Sequence, residues 1–374
     1  MPHSTQTAHP DPKRPLRDYP LKVRALFALA LTTMIGVGVA LSAEAACQVA
    51  YRFTQGSWLF LSEPEKPALA FDRHPYLVGV PRPHFEAGII KHNSLGYRGP
   101  EPATPKMPGS KRIVALGGSS TYCTGVPEDA TWPAMLQRDL GDGVEVFNLG
   151  VPGYSSVENL IQTALVISDL RPDIAIYYEG WNDLRSAHIK DLKPDYSNYH
   201  PRALFFSLYL NPVPPRDKSA VMFFLRNRVF SSSWQDPVSH FSYEPGPGAL
   251  TDEVDPRALS LYERNLRSIA ALDRSMGVAP VFVPQVLNYA KFTSNQPYGW
   301  MPLIKDKDVR KLLAAYNATM QRVAAELNVA FVGEVLSEDF PPSAFIDNGH
   351  FNQAGSSRFA AILAKYFEQH PDLR

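Results

Sequence analysis

Five polar or glycine positions in this sequence have the types and the spacing that nucleophilic catalysis requires. Ser119 follows Gly117 and Gly118, and Gly153 closes the turn Asn148-Leu149-Gly150-Val151-Pro152-Gly153. Asn182 lies in Gly180-Trp181-Asn182-Asp183, and Asp347 precedes His350 by three residues near the C-terminus. A serine hydroxyl is a weak nucleophile that needs a base and something to hold the oxyanion that develops. A histidine can take the hydroxyl proton and return it to the leaving group. A carboxylate three residues before it on a turn can bond the far ring nitrogen and fix the tautomer. Each position also has a plainer reading. Ser119 and Ser120 could cap a helix, Asn182-Asp183 could be a turn, and Asp347 and His350 could be a surface pair. Capping alone explains neither Asn182 nor His350.

The elements around these residues would bring them to one place. Residues 112–116 (Arg-Ile-Val-Ala-Leu) are a short apolar run closed by glycines, which reads as a buried strand. Further strands are expected at 144–148, 174–178, 279–283 and 330–332. Helices are expected at 132–140, 157–170, 259–276, 306–327 and 355–367. Alternation of this kind implies crossover units and a parallel sheet with helices on both faces. Ser119, the 148–153 turn and Asn182 then all follow strand ends, along the edge where open α/β sheets bind ligands. The loop before the last helix can bring His350 to the same edge.

The 374 residues are 45% hydrophobic, enough for a sizeable core, with 37 basic and 37 acidic side chains in balance. Nothing resembles a basic stripe, so no nucleic-acid partner is expected. The two cysteines, Cys47 and Cys123, form no CxxC, and no Cys/His cluster has metal spacing. No metal and no cofactor is expected. The G-x-S-x-G elbow is absent around Ser119, which argues against the α/β-hydrolase fold. No P-loop lysine follows Gly117-Gly118.

Residues 25–43 carry no charge and are long enough for a membrane span. Basic residues precede them, which places the N-terminus in the cytoplasm and the rest of the chain outside. Ala43-Glu44-Ala45 also has the form of a signal-peptidase site, so a secreted product is the alternative. The expected organisation is a cytoplasmic tail at 1–24, a signal anchor at 25–45 and a Pro-rich extension at 46–110. A catalytic domain at 111–374 follows, with an aromatic and Pro-rich insertion at about 184–255. Within the extension, Asn93-Ser94-Leu95-Gly96-Tyr97-Arg98-Gly99 is a compact turn-like segment. Arg98 could bind a carboxylate or phosphate of a substrate, or form an internal ion pair.

Four of these blocks, in this order, resemble those of the SGNH hydrolases, the GDSL esterase/lipase superfamily. Gly117–Thr121, Gly153, Gly180–Asp183 and Asp347–His350 match its serine, glycine, asparagine and histidine blocks. One departure is Gly118, which stands where many members have Asp. The resemblance implies a flavodoxin-like three-layer α/β sandwich with a central five-stranded parallel sheet, preceded here by the transmembrane helix. It implies Ser119 as nucleophile, His350 as base and Asp347 as its orienting acid. The Ser119 and Gly153 N–H groups and the Asn182 amide would form the oxyanion hole. The implied reaction is ester hydrolysis through an acyl-enzyme. An O-acetyl ester on a small-molecule or polysaccharide carbohydrate is the first expectation. The alternatives are a lipase or lysophospholipase, an O-acyltransferase using the same residues, and an idle carbohydrate-binding protein.

Overall fold

The uncharged N-terminal run folds, in the computed structural model, into the helix α1 (Leu21–Gln55). It is longer than the 25–45 segment expected from charge alone, because Glu44 and Arg52 are accommodated within it. The structure describes residues 15–56, 58–61, 70–72, 74, 77, 79–103, 105–185, 192–197, 218–228, 252–293 and 304–373. By length and composition α1 can cross a membrane, and its apolar side chains are exposed along its length. It forms one compact unit with a short helix, Ala220–Arg228, from the insertion. The Glu44 carboxylate accepts hydrogen bonds from Ser219 Oγ and from the N–H groups of Ala220 and Val221. Most of the insertion, including Phe205, Phe206, Tyr209 and Trp234, lies outside the described residues.

The second unit is built on five parallel strands. These are β1 (Lys111–Gly117), β2 (Val144–Asn148), β3 (Ile174–Glu179), β4 (Ala279–Pro284) and β5 (Ala330–Phe331). They pair in the order β2-β1-β3-β4-β5. The order reverses at β1, with β2 on one side and β3 on the other. A crevice at such a switch, beyond the carboxyl ends, is where doubly wound sheets place ligands.

Side chains that alternate along each strand feed two separate cores. Val114, Leu116, Ala175, Tyr177 and Phe282 face helices α4 (Ser156–Leu165), α5 (Pro256–Ser275) and α6 (Val309–Leu327). Ile113, Ala115, Ile176, Tyr178, Val281 and Val283 face α3 (Trp132–Leu140) and α7 (Gln353–Gln369). Two cores on one sheet make the three-layer sandwich. Burying a large apolar side chain contributes roughly 1.5–3 kcal/mol, so both faces hold the sheet firmly. In α5 the buried positions Ala258, Leu261, Tyr262, Asn265, Leu266 and Ile269 repeat at three and four residues, as an amphipathic helix requires.

Two expectations are corrected by these packings. The helix expected over 157–170 breaks at Val166, and a separate turn, Ile167–Leu170, follows. A single straight helix would put Leu165 inward, but Leu165 is 55% exposed while Ile167 and Leu170 are buried. The break rotates the apolar face. The Pro-rich extension, in which no strand was expected, contains two short antiparallel ribbons, Phe71–Asp72 with Val80–Pro81 and Glu86–Ala87 with Ile90–Lys91. Phe71 and Leu77 join a third core with Tyr122, Val151 and Tyr154.

Candidate active site

Ser119 opens a single helical turn, α2 (Ser119–Tyr122), directly after β1. Its Oγ lies 2.7 Å from His350 Nε2, and His350 Nδ1 lies 2.7 Å from Asp347 Oδ2. A carboxylate only accepts, so Nδ1–H donates to Asp347 and Nε2 is left to accept the Ser119 hydroxyl proton. The other carboxylate oxygen, Asp347 Oδ1, accepts from the N–H groups of Gly349 and His350, each at 2.9 Å. One side chain therefore closes the loop and orients the ring. Burial pushes the Asp347 carboxyl up. The hydrogen bond and charge of His350, with the two N–H groups, outweigh it and hold the carboxyl below the usual carboxylate range.

The second and third strand ends meet beside the serine. The Val151 N–H donates to Gly117 O at 3.0 Å, which lays the turn containing Gly153 along the residues before Ser119. Asn182 Nδ2 donates to Tyr154 O at 2.8 Å, tying the residue after Gly153 to the loop after β3. Gly118 fits between them. A Cβ there would lie 2.3 Å from Asn182 Nδ2 and 3.0 Å from Tyr154 O. The departure at this position thus has a local reason: the space of the missing side chain is taken by the Asn182 amide. Gly118, Ser120, Tyr154, Trp181 and Asn182 line one small cavity of about 10 Å³, roughly the size of a single water.

Three side chains that position the site carried no such role in the sequence. Ser120 Oγ donates to Gly349 O at 3.0 Å and joins α2 to the histidine loop across 229 residues. Asn288, buried, donates its side-chain Nδ2 to Asp347 O at 3.4 Å, beside the bond from its backbone N–H to Asn348 O at 2.8 Å. Asp183 accepts from the N–H and hydroxyl of Ser156 and so fixes the start of α4. Burial drives the Asp183 carboxyl up to about 7, even against those two hydrogen bonds. No local pattern marks these contacts, because each partner lies far away in the chain. Cys123 is buried and free, and burial raises its thiol to about 12, which keeps it protonated and unreactive. Cys47 is also free, so the two cysteines are not bridged.

Arg98 is turned into the protein. It is 1% exposed, and its guanidinium meets Glu128 and four backbone carbonyls. Of the two readings open for it, the internal ion pair is the one present. Among the described residues no group of His, Cys, Asp or Glu could hold a metal ion.

A doubly wound parallel sheet whose carboxyl edge carries Ser, His and Asp in one hydrogen-bonded line defines a serine hydrolase of the α/β class. The chain belongs to the GDSL-like lipase/acylhydrolase family, whose model matches residues 115–358. Similar solved structures include TesA, at 15% identity over 69% of this chain and 99% of that one, with a TM-score of 0.40. An acetyl xylan esterase, AlAXEase, is 10% identical over 68% and 98% of the two chains, with a TM-score of 0.40. An acetylxylan esterase from Geobacillus stearothermophilus is 15% identical over 69% and 94%, also at 0.40. No curated protein matches the chain.

Proposed function

We propose that this protein is a serine esterase that cleaves its substrate through an acyl-enzyme. The observation that carries the reading is the pair of 2.7 Å contacts from the two His350 ring nitrogens to Ser119 Oγ and Asp347 Oδ2. Ser119 Oγ attacks the ester carbonyl as its proton passes to His350 Nε2. The oxyanion that forms is held by the Ser119 and Gly153 N–H groups and the Asn182 amide. Collapse of this intermediate breaks the carbon–oxygen bond, and His350 gives its proton to the departing alcohol. Water then repeats the sequence on the acyl-enzyme, releases the acid and restores Ser119.

For the substrate we propose an O-acetyl ester of a carbohydrate outside the cell membrane. The apolar helix α1 and the basic residues before the uncharged run support a domain anchored on that side. The test is a panel of acetyl, butyryl and long-chain aryl esters, with acetylated oligosaccharides, on the full chain and its Ser119→Ala variant. Turnover of acetyl esters that is lost in Ser119→Ala is the expected result. Rates that rise with chain length would replace the carbohydrate with a lipid substrate. No turnover, and no reaction of Ser119 with a fluorophosphonate, would refute the esterase.

A further inference from the structure

We infer that Arg98 is a positioning residue for Ser119, and that the segment Asn93–Gly99 exists to hold it. The inference rests on Ser119 being the nucleophile and goes beyond that reading. Ser119 starts a helix of only four residues, so its position depends on what holds the other end. That end is the backbone of Tyr122 and Cys123, and Cys123 is in the left-handed region at φ +61°. Such a turn leaves its last carbonyls without helical partners. Arg98 supplies them. Nη1 donates to Tyr122 O at 3.0 Å and to Cys123 O at 2.9 Å. Nη2 donates to Val126 O at 2.8 Å and Ile89 O at 3.3 Å, and Nε donates to Glu128 at 3.2 Å. All five N–H groups of the guanidinium are accounted for. The guanidinium also lies 5.2 Å from the Tyr122 ring centroid, and the Tyr122 hydroxyl meets His92 Nε2 at 2.8 Å.

Three residues of the segment serve this placement. Asn93 Oδ1 accepts from the N–H groups of Leu95 and Tyr97 and closes the turn. Gly96 stands at φ +90°, and a Cβ there would lie 2.3 Å from Pro81 O, so no other residue fits. The backbone of Arg98 bridges Asn148, at the end of β2. The guanidinium is thus fixed from both sides before it reaches α2. A planar five-donor fork meets this set of carbonyls, and an ammonium with three donors cannot.

The experiment measures turnover per active site. The full-length protein in detergent is titrated with a fluorophosphonate, which counts reactive Ser119, and is then assayed on an aryl acetate. Labelling of the wild type that is absent from Ser119→Ala tests the nucleophile by itself. In Arg98→Lys, every folded site should still label, but slowly. A serine misplaced by an ångström loses about 100-fold in kcat per labelled site, with KM unchanged. Arg98→Ala should recover part of that rate when guanidinium, but not ammonium, is added. A merely structural role gives the opposite pattern: fewer labelled sites, each at the wild-type rate. That result overturns the proposal. If Arg98→Lys does not fold, Glu128→Gln decides, since it takes away the charge that pairs with Nε at a partly exposed position and leaves the carbonyl contacts. A kcat per labelled site equal to wild type in Glu128→Gln would then overturn it, and a reduced kcat at constant KM supports it.

Discussion

Gly118→Ala is a substitution whose effect can be worked out from one distance. The backbone at Gly118 lies at φ −85° and ψ −150°, outside the positive-φ region that favours glycine, so alanine can adopt it. The only new feature is a methyl group, and its carbon would lie 2.3 Å from Asn182 Nδ2. Ordinary contact begins near 3.4 Å, so the amide must retreat by about 1 Å, which on general grounds costs about 100-fold in rate. Loss of one oxyanion donor costs a similar 10²–10³ in kcat. The bond from Asn182 to Tyr154 O breaks with it, a stability loss of about 1 kcal/mol. The assay is steady-state hydrolysis of an aryl acetate by wild type, Gly118→Ala, Asn182→Ala and the double variant. Gly118→Ala should lower kcat by about 100-fold or more with little change in KM. In the Asn182→Ala background the 2.3 Å clash is gone and only the 3.0 Å approach to Tyr154 O remains, so the added methyl should cost far less. Two results would refute the reasoning. One is a Gly118→Ala enzyme within threefold of wild type. The other is the same penalty for the methyl whether or not Asn182 is present.

Three further perturbations follow from the same geometry. Asp347→Asn keeps an acceptor for the loop N–H groups but turns an NH₂ toward His350 Nδ1, which reverses the tautomer; kcat should fall by roughly 10⁴ with an unchanged melting temperature, read by steady-state kinetics and calorimetry. Ser120→Ala removes the bond to Gly349 O, so chemical denaturation should show a loss of about 1 kcal/mol, with a smaller loss of kcat than in Gly118→Ala. Asp273 is buried beneath the Tyr177 hydroxyl, and burial, partly offset by that hydrogen bond, raises its carboxyl to about 7. Because its folded pKa lies above its unfolded one, its share of stability is complete below pH 4. That share is lost as pH rises through 7, by roughly 4 kcal/mol at most. Asp273→Asn should therefore gain stability relative to wild type between pH 4 and 8, and an unchanged difference in denaturation free energy across that range would refute the assignment.

The strands and helices that carry the site were legible because their signals are local. Ile113, Val114, Ala115 and Leu116 alternate between two cores, and an apolar run closed by Gly117 announces that. Ser119, Asn182 and Asp347-x-x-His350 were legible as blocks because each keeps its chemistry within a few residues. What the sequence hid was tertiary. The bond from Ser120 to Gly349 and the Arg98 cluster join residues whose separations no periodicity records. The break at Val166 was hidden for a related reason: the phase of the helix is set by which side chains reach the core, and Leu165 does not. At Gly118 the sequence showed a departure from the family pattern but not its cause, which is the side chain of a residue 64 positions later.

The hydroxyl and the imidazole that meet at 2.7 Å are 231 residues apart in the chain. A polypeptide is made from its N-terminus, so the proposed nucleophile is synthesised long before its proposed base. Until α7 docks beside α3 and draws the 347–350 loop down, Ser119 has no acceptor for its proton. On that reading a nascent chain that lacks the 347–350 loop cannot turn over an ester. Regain of turnover after denaturation therefore reports when these two distant parts of the chain have met.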